Sequence, residues 1–157
     1  MARAPIQILV LPYYRNERNE IEFAIFKRAD EHYWQFIAGG AEDDETPIET
    51  AMRETFEEAG ILPSDNLYEL ESFSTIPVTG VTGEQGFIWG EDVYLLPQYC
   101  FALEMLNKDI KISAEHTEYK WTCYNDAYEL LNWQSNKNAL WELNCKLSKN
   151  KIGSIHG

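Results

Sequence analysis

Three glutamates of this 157-residue chain, Glu54, Glu57 and Glu58, stand at i, i+3 and i+4, the spacing that brings side chains together on one face of a helix within about one turn. Three carboxylates that close repel one another unless a cation lies between them. A cluster of oxygen donors without histidine suits a hard divalent ion, Mg²⁺ or Mn²⁺, which keeps several waters and bridges carboxylates to the phosphates of a substrate. The same spacing is also that of a solvated acidic face in an acidic protein, and the three residues alone do not separate the two readings.

The segment around them has strong boundary signals. Thr46 is placed to cap a helix, Pro47 fits the first helical position, Glu49 completes a Thr-x-x-Glu capping box, and Gly60 suits the C-terminal stop, which predicts a helix over 47–59. Ile48, Ala51, Met52, Thr55 and Ala59 recur at helical spacing and are expected to face the core, leaving the charges on the opposite side. Upstream, β-rich runs at 6–14 and 21–26 flank a polar turn, and a third at 33–37 ends in Gly39-Gly40, where missing side chains allow backbone conformations other residues avoid. Downstream, 67–76, 93–103 and 119–124 read as strands, 126–131 as a short helix, and Ser135 as the cap of a last amphipathic helix carrying Ala139, Leu140, Leu143 and Leu147. A segment with Gly80, Gly83, Gly86 and Gly90 is expected to be a mobile loop, with Phe87 and Trp89 as candidates for closing over a ring. With no linker or repeat, residues 1–157 are expected to form one α+β domain, a mixed sheet between helices, rather than a doubly wound sheet.

The longer pattern decides between the two readings of the glutamates. Gly39, Glu45, Arg53, Glu54, Glu57, Glu58, Gly60 and Ile61 fall at the spacing of the Nudix box, and the chance of matching its seven fixed letters is on the order of one in 10⁸ per starting position from average composition. The chain thus resembles the Nudix hydrolases, which implies an α/β/α sandwich and cleavage of a diphosphate linked to another group. By that resemblance Glu54, Glu57 and Glu58 bind a catalytic Mg²⁺ or Mn²⁺, Gly39 and Gly40 let the backbone approach metal and phosphate, and Glu45 pairs with Arg53 to hold the loop against the helix, a role for Glu45 as base remaining open. Thr55 departs from the pattern, which prefers a bulky aliphatic there; this bears on packing more than on chemistry.

Further stretches, Ile6-x-Ile-Leu-Val with Lys27-Arg28-Ala-Asp30 and Trp34-Gln35, Glu115-His116-x-x-Tyr119-Lys120-Trp121, and Trp133-x-Ser135-Asn136-x-x-Ala139, are most similar to the branch acting on dihydroneopterin triphosphate or dATP. That implies hydrolysis of a (deoxy)nucleoside triphosphate or dihydroneopterin triphosphate to a monophosphate and pyrophosphate. Alternatives are a hydrolase of dinucleoside polyphosphates or nucleoside diphosphate sugars, and a non-catalytic nucleotide sensor, which would not need all three glutamates. Glu115 is the candidate additional catalytic carboxylate, with Glu118 its rival. Lys27 and Arg28 are candidates for holding phosphate oxygens, and Trp34 for stacking on a ring, each also readable as ordinary surface or core.

Composition bounds the partners. Thirteen basic against 26 acidic residues give a net charge of −13, which disfavours nucleic acid or an anionic membrane as a direct partner and makes a cation bridge necessary for a phosphate-rich small molecule. Cys100, Cys123 and Cys145 show neither zinc-ligand spacing nor a disulfide framework, and the apolar stretch at 6–12 is no secretory signal, so a cytoplasmic protein with reduced thiols is expected, as a monomer or a homodimer. His32, His116 and His156 have no metal-ligand spacing and are expected not to be metal ligands. Motifs for covalent catalysis or a phosphate-cradling Gly-x-x-x-x-Gly-Lys loop are missing from the sequence.

Overall fold

The computed structural model describes residues 3–78, 89–90 and 92–150. A long strand, β1 (Arg3–Arg15), is shared between two sets of partners. Its first half pairs antiparallel with β4 (Ile37–Glu42), Gln7 opposite Gly40 and Val10 opposite Ile37, and its last residues pair with β2 (Ile21–Arg28), Tyr13 opposite Phe23. On its other side β6 (Leu95–Met105) runs parallel to it from Gln7↔Gln98 to Tyr14↔Met105. The short β3 (Trp34–Gln35) and β7 (His116–Thr122) both pair antiparallel with β2, and β5 (Leu67–Pro77) pairs with β6, completing, among the described residues, a mixed sheet of seven strands.

Successive side chains of a strand face opposite ways, so the apolar runs in β1 and β2 feed two cores. Leu9, Leu11, Phe23 and Ile25 pack on one face against α2 (Tyr124–Leu130) and α3 (Gln134–Ser148) through Leu131, Ala139, Leu140 and Leu143. Ile8, Val10, Ala24 and Phe26 pack on the other against Ala51 and Ala59 of α1 (Pro47–Ala59). The result is the expected sandwich of a mixed sheet between helices. None of the described helices is long and apolar enough to cross a membrane.

Several expectations need correction. The run at 33–37 is two strands, β3 and β4, and Gly39-Gly40 lie inside β4 rather than after a strand. Strand 93–103 begins two residues later and ends at Met105, strand 119–124 is β7 at 116–122, and the short helix at 126–131 starts at Tyr124. Trp133, not Ser135, is the N-cap of α3, and its side chain makes no capping bond. Ile48 is 45% exposed and Met52 half-buried, whereas Thr50 and Glu58 are buried in their stead, so α1 is rotated from the orientation its apolar residues suggest. Most of the glycine-rich segment lies outside the described residues, Phe87 included; Trp89 and Gly90 are described, in a turn.

Thr55 sits fully buried on the inner side of α1, and its hydroxyl has no hydrogen-bond partner. A buried unpaired hydroxyl costs about 1–3 kcal/mol, and valine has nearly the same volume without it. Thr55→Val is therefore expected to raise stability by about 1 kcal/mol in urea denaturation; a lower midpoint would show that the hydroxyl contributes to the fold.

Candidate functional site

Helix α1 is fixed at both ends by its own sequence. The Thr46 hydroxyl accepts the Glu49 N–H (3.3 Å) and the Glu49 carboxylate accepts the Thr46 N–H (2.9 Å), while Gly60 adopts φ 71° at the C-terminus and donates its N–H to Phe56. A left-handed residue there suits glycine.

Arg53 organises the face between α1 and β4. Its Nε and Nη2 donate to the two oxygens of Glu45 (2.8 and 3.0 Å), Nη2 also to the Gly40 carbonyl (2.8 Å), and Nη1 to Glu54 (2.8 Å) and Glu57 (2.9 Å). Glu45 in turn accepts the Glu42 N–H and the Thr50 hydroxyl, which is why Thr50 faces inward. The Arg53 guanidinium holds the Glu45 carboxyl down to about 2. The expected Glu45–Arg53 pair thus ties the 42–46 loop to the helix.

The glycines act through space. Neither Gly39 nor Gly40 has a positive φ, but a Cβ on Gly39 would overlap the Glu54 carboxyl, and one on Gly40 would lie 2.8 Å from the Gln7 amide nitrogen. Gly39 is the bed on which Glu54 rests, which corrects the expectation of an unusual backbone.

The three glutamates are not equivalent. Glu57 is half exposed and turned to Arg53, Glu54 is largely covered, and the Glu58 side chain is 2% exposed. Burial pushes the Glu58 carboxyl well above the ordinary carboxylate range, and neighbouring Glu54, itself raised by burial, adds to that. Glu58 Oε2 is buried with no hydrogen-bond partner, and Oε1 lies 3.6 Å from Nε2 of His116.

The other candidates divide between the two faces of the sheet. Arg28, on the α1 face, grips Asp30 with two bonds (2.8 and 2.7 Å) that raise its own pKa and hold Asp30 below the carboxylate range; its charge acts on Glu58 and His116, and that of Glu115 on Glu58 and on Arg28. Lys27 is on the opposite face, where it meets Glu118 (3.6 Å), and Trp34, its Cα partner, packs there against the α2–α3 core with Lys120 4.8 Å above its ring. Lys27, Trp34 and the rival Glu118 are therefore not brought to the glutamates, whereas Arg28 and the exposed Glu115 are.

The NUDIX domain model matches residues 7–142. The chain belongs to the Nudix family. Dihydroneopterin triphosphate diphosphatase from Haemophilus influenzae is 24% identical over 134 residues, 85% of this chain and 84% of that protein. The asymmetrical bis(5'-nucleosyl)-tetraphosphatase of Mus musculus is 26% identical over 127 residues, 80% of each. The crystal structure of a candidate NUDIX hydrolase from Listeria monocytogenes superposes with a TM-score of 0.81 at 37% identity, covering 95% of this chain and 98% of that one. The protein is thus a Nudix hydrolase, of a family whose members generally use divalent metal ions and act on phosphate-containing small molecules.

The residues of this Nudix site fit such an ion. Glu58 offers a buried, unpartnered oxygen, and a divalent cation would relieve the desolvation that opposes its ionisation; Glu54 and Glu57 are the neighbouring oxygen donors. As the side chains stand, no three acidic, histidine or cysteine groups among the described residues enclose an ion, and Glu57 is paired with Arg53. His116, to which the sequence assigns no role, is buried beside Glu58; its place directly after Glu115 in the Glu-His-x-x-Tyr-Lys-Trp stretch is the only sequence feature that sets it near the site.

Because the folded pKa of Glu45 lies below its ordinary 4.5, its pairing stabilises the protein above that pH and the contribution disappears as pH falls toward about 2. Glu45→Gln is expected to lower the urea midpoint at pH 7, with the deficit shrinking steadily below about pH 4.5; a deficit independent of pH would mean that Arg53 does not depend on the Glu45 charge.

Proposed function

We propose that this Nudix hydrolase is a divalent-metal-dependent pyrophosphohydrolase that converts a (deoxy)nucleoside triphosphate or dihydroneopterin triphosphate to the monophosphate and pyrophosphate. The observation that carries the metal dependence is the buried, unpartnered Glu58 oxygen beside Glu54 in a chain of net charge −13. The substrate class is supported by the likeness to dihydroneopterin triphosphate diphosphatase over 85% of the chain. Similarity to the asymmetrical bis(5'-nucleosyl)-tetraphosphatase supports a second reading, a dinucleoside polyphosphate as substrate.

Glu54, Glu57 and Glu58 would hold Mg²⁺ or Mn²⁺. When bound, the ion supplies a positive centre that neutralises phosphate oxygens and lowers the pKa of water. Arg53 keeps Glu54 in place from behind, and its bond to Glu57 holds that side chain at the rim. Glu115, exposed immediately before β7 and near enough for its charge to act on Glu58, would orient a water or accept its proton. Arg28, already aligned by Asp30, presents a guanidinium to an incoming phosphate.

Pyrophosphate and phosphate release should be followed with Mg²⁺ and with chelator, over dihydroneopterin triphosphate, dATP, other nucleoside triphosphates, diadenosine polyphosphates and ADP-ribose. Pyrophosphate released from a triphosphate only with metal is the expected result, and Glu57→Gln is expected to lower kcat/KM at least about a hundredfold, the scale of one lost charge-stabilising contact. Cleavage confined to dinucleotides would favour the second reading, and full activity in Glu57→Gln would remove Glu57 from the site.

A further inference from the structure

His116 is almost completely enclosed, its side chain 1% exposed, and neither ring nitrogen has a hydrogen-bond partner. Its ring lies against Phe26 with centroids 5.4 Å apart, and its backbone N–H is held by the Ser113 carbonyl (3.2 Å) at the mouth of β7. Two unpaired nitrogens in the core are costly if the residue serves only for packing, a task phenylalanine would do without that cost.

Nε2 faces the Glu58 carboxyl, which touches Glu54 on one side and has one oxygen without a partner. Nε2 is 3.6 Å from Glu58 Oε1, and the unpaired oxygen is Oε2. The nearby cations are committed elsewhere: Arg53 donates to Glu45, Glu54, Glu57 and Gly40, and Arg28 to Asp30. The separation is a few tenths of an ångström beyond a hydrogen bond, a gap that such pairs close when a ligand arrives.

We propose that His116 is a positioning residue for Glu58: its Nε2–H donates to Oε1 of the ionised carboxylate and aims the second oxygen, Oε2, at a bound divalent ion. A donor behind a ligating carboxylate fixes its rotamer, and loss of such a partner typically costs ten- to a hundredfold in metal affinity. This rests on the reading above of Glu58 as a metal ligand.

The test is the Mn²⁺ dissociation constant without substrate, from the electron paramagnetic resonance signal of free Mn²⁺, with the melting temperature in chelator recorded for each variant. Glutamine carries an amide nitrogen about as far from the backbone as Nε2, asparagine only as far as Nδ1, and phenylalanine keeps the ring without a donor. His116→Gln is expected to bind Mn²⁺ within about threefold of the unmodified protein, and His116→Asn and His116→Phe about tenfold or more weakly, while His116→Phe in chelator melts no lower. Equal affinities for His116→Gln and His116→Asn, or unaltered affinity in His116→Phe, would overturn the proposal; the glutamine and asparagine pair decides it even if the phenylalanine variant does not fold. Glu58→Gln separates the two layers: unchanged Mn²⁺ affinity there removes the metal reading itself, whereas a loss there with none in the His116 variants removes only the role given to His116.

Discussion

The site depends on one guanidinium. In a chain with twice as many acidic as basic residues, Arg53 alone gathers Glu45, Glu54, Glu57 and the Gly40 carbonyl, so a loop, a strand and a helix share one cation. A lysine could not replace it: three of these partners approach from different directions in one plane, which suits a rigid five-donor fork and not a single ammonium. The arrangement also explains how carboxylates so close together coexist. Glu45, Glu54 and Glu57 are compensated from behind, and Glu58, which Arg53 does not reach, is the one whose ionisation burial opposes most strongly.

Legibility in the sequence followed the range of the forces involved. The limits of helix α1 are legible to the residue because they are set within a few positions, by Thr46 and Glu49 at one end and Gly60 at the other. Its orientation is not, because that depends on partners elsewhere: Thr50 turns inward to Glu45, Glu58 turns inward to His116, and Ile48 is left outside. The Gly39-Gly40 pair signals a close approach, yet what approaches Gly39 is the Glu54 carboxyl, and neither glycine needs an unusual φ. Ser135 looked like a cap, but the polar residue that matters in that turn is buried Asn136, whose amide oxygen accepts the Phe36 N–H a hundred positions away.

Sequence adjacency misled most where a strand intervenes. Lys27 and Arg28 read as a basic pair, yet alternation along β2 sends Arg28 to the glutamate face with Phe26 and His116, and Lys27 to the face of Trp34 and Glu118. In β7 the two residues His116 and Glu118 would share a face by alternation alone, and it is the register shift between Lys27↔Glu118 and Arg28↔His116 that sets His116 beside Glu58 and Glu118 beside Lys27.

The shared strand β1 also orders events in time. Its antiparallel partners β2 and β4 follow within the next few dozen residues, but its parallel neighbour begins its register at Gln98, opposite Gln7. During synthesis at about 5–20 residues per second, one edge of Ile8–Leu11 stays open for roughly 5 to 20 seconds, with the helix of the glutamates already able to form beside the other. Such an open apolar edge is a template for foreign strands. The helix of the glutamates is thus made well before the edge of β1 is covered, and a nascent chain stalled before β6 would hold Glu54, Glu57 and Glu58 but lack Glu115, His116 and the strand that keeps that edge from sticking to its neighbours.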